Sequence, residues 1–205
     1  MSRRARAVIG RIGFAAIIAA AVIASTAVDA SAAGGGHFTT PAPGTTVTGN
    51  LKSGTDMVFK GTIDGVPITV NCTSFTGSGK TPKTGLSIKI APPAITGCTD
   101  TLGGVDTIKT NATNGSWKVT EVLGTTDKAK LVIPKAGATF TSSLVGGCVI
   151  TAEPAKAASV TGTYDNVNTD TVTNAKIPVT GTGCSATAAS VSATVIFTPD
   201  VEGAA

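Results

Sequence analysis

Arginine is missing from everything beyond residue 11: Arg3, Arg4, Arg6 and Arg11 are the whole supply, and they carry most of the formal net charge of +4. A chain cut behind Ala30 would set twelve lysines against eleven carboxylates, a net of +1. A near-neutral domain gathers no polyanion at long range, and without arginine it lacks the planar fork that grips phosphates and base edges. Nucleic acid is not an expected partner. Histidine is almost as scarce. The only one, His37, stands in "GGGHFTTPAPG", Gly34 to Gly44, where nothing holds it against a nucleophile. That removes a Ser-His-Asp triad, and no Asp-Thr-Gly or Asp-Ser-Gly is present to build an aspartic-protease dyad.

Aromatic residues are few, with one Trp, one Tyr and six Phe. Phe59, Phe140 and Phe197 alternate with polar neighbours, as core residues do. Trp117 and Tyr164 remain as the amphipathic aromatics that a carbohydrate or cell-wall binding module would use. Pairs such as Asp100 with Asp106, or Glu121 with Asp127, could flank a glycosidic bond in a secreted hydrolase. Their plainer reading is solvated strand ends and turns. No catalytic residue and no cofactor is expected.

Long apolar runs are also lacking. The single candidate, Ile12 to Ala24, is too short to span a bilayer. With arginines ahead of it and small residues behind, it has the build of an export signal, with cleavage expected after Val28-Asp29-Ala30 or Ala30-Ser31-Ala32. The expected organisation is a signal over 1–32, a flexible Gly/Pro leader over 33–44 and a β-domain over 45–200. The mature product is expected to be extracellular, without a membrane span, and to meet a partner in the medium or the cell envelope.

What the chain has in abundance is threonine, 35 residues of it, together with valine and glycine. β-Branched side chains fit a pleated surface better than a helix. Val66, Ile68, Val70 and Cys72 alternate with polar residues; so do Leu86, Ile88 and Ile90, and Val191, Ala193, Val195 and Phe197. Period two marks strands with one face in a core. Turn signals recur between them, among them Asp64-Gly65, Gly103-Gly104 and Asn114-Gly115, the last expected at the tip of a hairpin between Ile108 and Val119. About a dozen strands and no helix follow. The fold expected is an antiparallel β-sandwich, Ig-like or jelly-roll-like.

Two stretches imitate binding motifs. "TGSGKT", Thr76 to Thr81, ends like a phosphate loop, but Ser74 stands where the first glycine belongs and Pro82 and Gly85 leave no room for the helix that would hold the anion. It reads as a hairpin loop, and no nucleotide is expected. "DNVNTD", Asp165 to Asp170, spaces oxygens like a calcium loop, yet Thr171 and Ile177 occupy the glycine and bidentate-glutamate positions. It reads as an Asx-rich turn.

"TGCTDT" at Thr96 recurs as "TGCSAT" at Thr182, and "FKGTIDG" at Phe59 is echoed by "FTSSLVG" at Phe140. Two related halves, 45–124 and 130–200, would explain this, with one sandwich as the alternative. The cysteines, Cys72, Cys98, Cys148 and Cys184, lie at least 26 residues apart, too far for zinc-site pairs. An even count in an exported chain implies two disulfides. Three pairings are possible. One bridge per half gives Cys72–Cys98 and Cys148–Cys184. In its leader, its "TGC" elements and segments such as "GVPITVNCT" and "NGSWKV", the chain resembles small Thr/Ala/Gly/Val-rich β-proteins exported by actinobacteria. The resemblance implies secretion and β-structure and brings no site residues. The function expected is a non-catalytic β-domain that binds or associates structurally at the cell surface or in the medium.

Overall fold

The structure, a computed structural model, describes residues 36–205. The export signal expected over 1–32 lies outside the described residues. The described residues belong to one compact unit, and among them there is no helix. The strands are β1 (His37–Thr40), β2 (Thr46–Leu51), β3 (Met57–Ile63), β4 (Val66–Lys80), β5 (Ser87–Ile90), β6 (Ala94–Asp100), β7 (Val105–Thr110) and β8 (Trp117–Val122). There follow β9 (Lys128–Ile133), β10 (Ala138–Ser142), β11 (Val149–Ala152), β12 (Ala158–Tyr164), β13 (Thr169–Ile177), β14 (Val179–Thr182), β15 (Ala186–Thr198) and β16 (Glu202–Ala204).

An eight-stranded ring replaces the expected sandwich. β4 pairs with β2, β2 with β15, β15 with β13 and β13 with β12. The ring continues through β9, β8 and β5 and closes where β5 returns to β4. That seam is short, with Gly79 opposite Ile90 and Lys80 opposite Lys89. Gly79 makes it possible, because a Cβ there would overlap the Lys89 carbonyl oxygen and press on Ile88. The residues that imitate a phosphate loop are therefore neither that nor a hairpin loop: Thr76 to Lys80 continue β4, and their glycine joins two sheet edges into a barrel.

β4 has 15 residues and β15 has 13, about twice an ordinary strand, and this length lets each serve two sheets. Their other halves flank β3, and beyond β4 the sheet runs on through β6, β7, β10, β11 and β14. Strands of the two expected halves thus interleave: β2 and β3 both pair with β15, and β7 pairs with β10. The polar link expected between the halves is the β8–β9 hairpin turn, with Val122 opposite Lys128. Both favoured disulfides are present. Cys72 and Cys98 sit opposite each other on β4 and β6, and Cys148–Cys184 ties the β10–β11 connection to the β14–β15 turn.

Two local expectations need correction. Asn114-Gly115 is not a hairpin tip, since β7 pairs with β6 and β10 while β8 pairs with β5 and β9. It is a corner between sheets, held by Asn111, whose carbonyl accepts the Trp117 indole N–H at 2.7 Å and whose amide donates to Ala136 O at 2.9 Å. The leader is also ordered over His37–Thr40, because Phe38 provides an apolar anchor. It packs with Val47, Ile88 and Val201, and the backbone of β1 pairs with β16.

Candidate functional site

The barrel interior is not filled. A cavity of about 200 Å³ runs through the core, lined by apolar side chains of the ring that include Phe75, Leu131, Val160 and Val195, and also by Phe59 of β3 and Phe140 of β10 from outside it. At roughly 24 cal/mol per Å³, an empty cavity of this size costs about 5 kcal/mol, comparable with the whole net stability of many domains. Small residues keep the space open. Gly49 and Gly77 face each other across β2 and β4, and Ala129, Ala138 and Ala193 also line the cavity.

One end is closed and acidic. Alternation along β8 turns Trp117, Val119 and Glu121 inward, and the same period turns Tyr164 of β12 and Asp170 of β13 inward. Glu121 is 5% exposed and Asp170 is 8% exposed. Neither Glu121 oxygen has a hydrogen-bond partner, nor does Asp170 Oδ1. In register, Glu121 lies opposite Ala129, Ala129 opposite Gly162, and Asp170 opposite Tyr164. Asp170 leans over Gly162, where any Cβ would overlap its carboxylate.

Burial dominates the chemistry of both acids. It raises Asp170 to about 7. It raises Glu121 to about 7 as well, helped by the charge of Asp127 and opposed by the Gly203 amide; that amide is itself donated to Asn166 Oδ1 at 3.0 Å. Tyr164 is pushed up by burial first and then by Glu121, Asp165, Asp170 and Asp200. Its hydroxyl donates to Val201 O at 2.5 Å, which ties the β16 side of the β1–β16 ribbon to the barrel wall. The opposite end reaches the surface beside Lys60, Thr62 and Thr187, where β15 bulges away from β3. Among the described residues, Glu121, Asp170 and Lys60 are the charged side chains of the lining.

Trp117 and Tyr164 do not present surface platforms for a sugar, being 2% and 4% exposed. They line the internal cavity instead. Asp100 and Asp106 do come together. Asp100 accepts from the amides of Leu102 and Gly104 at 2.8 and 2.9 Å and from Ser142 Oγ at 3.0 Å. Burial works to raise Asp100, but these donors outweigh it and hold it low, while burial and then the Asp100 charge raise Asp106. The pair is enclosed rather than presented in a cleft, so a glycosidic bond does not reach it. Glu121 and Asp127 separate: Glu121 faces the cavity and Asp127 accepts from Gly124 N in the β8–β9 turn at 2.9 Å. In the calcium-loop imitation, Asp165 Oδ1 accepts from Val167, Asn168 and Thr169 amides, all at 2.9 Å, as an Asx-rich turn does.

The acidic end was open to sequence reasoning. Glu121 stands at period two from Trp117 and Val119, and Asp170 at period two from Val172, so each belongs to an inward face. The chain matches no family model, and no curated protein or solved structure matches it.

Proposed function

We propose that this chain works outside the cytoplasm as a non-catalytic binding protein that holds a small apolar ligand inside its barrel. The observation that carries the reading is the cavity of about 200 Å³. An eight-stranded barrel has room either for packed side chains or for one small ligand, and here glycines and alanines stand where larger residues would have filled it. Two disulfides support an oxidising compartment. By proportion with a cavity of roughly 150 Å³ that accepts benzene, a chain or ring of about eight carbons fits.

Calorimetric titration with 1-octanol tests this. Saturable one-to-one binding is expected, accompanied by a change in emission of Trp117, the sole tryptophan and part of the lining. Binding should weaken markedly in Ala193→Ile, which places three further carbons in the cavity. A folded protein that shows no saturable uptake would remove the reading.

A further inference from the structure

The acidic end of the cavity specifies more than an apolar ligand. Three carboxyl oxygens, both of Glu121 and Oδ1 of Asp170, are buried without a well-formed hydrogen bond, the Gly203 amide beside Glu121 being donated to Asn166 Oδ1. An unsatisfied buried acceptor costs roughly 1–3 kcal/mol, yet two such side chains face one apolar space. What they lack is hydrogen-bond donors and positive charge. The protein supplies neither from the lining at this end, where the Tyr164 hydroxyl is already donated to Val201 O. The negative field is reinforced from outside the lining: Asp127 acts on Glu121, and Asp165 and Asp200 act on Tyr164 beside it. The single cationic side chain of the lining, Lys60, is at the opposite, surface end.

We infer that the ligand is a hydrophobic amine, seated with its ammonium group at the acidic end, where it meets the unpartnered oxygens of Glu121 or of Asp170, and with its hydrocarbon part in the apolar cavity. An ammonium carries three donors and one positive charge, which supply what these acceptors lack. A fatty acid would bring a third anion to the same place. The glycine at position 162 fits this assignment, since it leaves room for the Asp170 carboxyl, which a Cβ there would overlap. No covalent step is involved. Binding ionises the one carboxyl that the ammonium meets, whose proton leaves for the solvent.

The inference rests on the cavity being a ligand site, and three eight-carbon probes separate the two ideas. Octylamine, 1-octanol and octanoate are titrated by calorimetry into the wild type, Glu121→Gln, Asp170→Asn and the double variant, each checked for cooperative unfolding. Octylamine is expected to bind at least about tenfold more tightly than octanol, with octanoate weakest and with proton release visible in buffers of different ionisation enthalpy. In the double variant the amine's advantage should vanish while octanol still binds. Equal binding of amine and alcohol in the wild type, or an advantage that survives in the double variant, would overturn the inference and leave the cavity reading standing. Octanoate binding tightest, and weakened by Lys60→Gln, would put the polar end of the ligand at the surface mouth and overturn it too. If none of the three binds to folded protein, both ideas fall.

Discussion

Replacing Asp170 by Asn should change how stability depends on pH, and the sign follows from burial. In the unfolded chain this carboxyl titrates near 3.8; in the barrel it is raised to about 7. Between those values the folded state holds a proton that the unfolded state has released, so stability falls as pH rises through this window and levels off above it. Each pKa unit is worth about 1.36 kcal/mol, so a shift from 3.8 to about 7 corresponds to about 4 kcal/mol. Glu121, raised from 4.5 to about 7, adds about 3 kcal/mol of the same sign. These are upper bounds, because water penetration and relaxation soften burial. Asp106 and Glu153, also raised mainly by burial, act in the same direction, whereas Asp100 and Asp165, held low chiefly by backbone amides, act oppositely at lower pH. Urea unfolding from pH 4 to pH 8, followed by the emission of buried Trp117, measures the slope. The wild type should lose at least about 2 kcal/mol between pH 4.5 and 7.5. Asp170→Asn should lose clearly less, and Asp170→Asn with Glu121→Gln less still, keeping only the part that Asp106 and Glu153 contribute. An equal slope in wild type and double variant would refute the reasoning.

Filling the cavity should stabilise the protein. Ala193→Ile adds three carbons at about 0.8 kcal/mol each, less the strain of fitting them, for a net gain of about 1–2 kcal/mol in urea unfolding. Gly79→Val should cost about 3 kcal/mol or more, since its side chain collides with the Lys89 carbonyl at the seam. Amide exchange should then rise first in β5, at Ile88 and Ile90. Replacing both members of a disulfide by Ala should cost about 3.5 kcal/mol for the 26-residue separation of Cys72–Cys98 and about 3.8 kcal/mol for the 36-residue separation of Cys148–Cys184, measured as loss of unfolding free energy.

The strands were legible because burial of one face leaves a local signature. Val191, Ala193 and Val195 announce β15, and their alternation survives intact in the barrel. The cysteine pairs were legible because the "TGC" echoes assign one bridge to each half. Closure of the ring was not. It depends on Gly79 meeting Ile90 across an intervening turn and on β4 and β15 changing partners midway, and pairing between distant strands leaves no periodic mark. The leader was misread for a similar reason: its glycines and prolines outweighed Phe38, whose value lies in contacts with Val47, Ile88 and Val201. Glu121 and Asp170 carried a visible signal, period two with apolar neighbours, but charge argues for solvent unless the neighbouring strands are known.

An unfilled apolar interior behind a closed ring of strands is the claim on which the rest stands. Crystals of the protein pressurised with xenon test it most directly, because xenon occupies dry apolar cavities and ignores packed cores. At least one xenon atom is expected inside the barrel among Phe75, Leu131 and Val160. A well-ordered barrel that admits no xenon, its interior closed by side chains or by ordered water, would contradict the account.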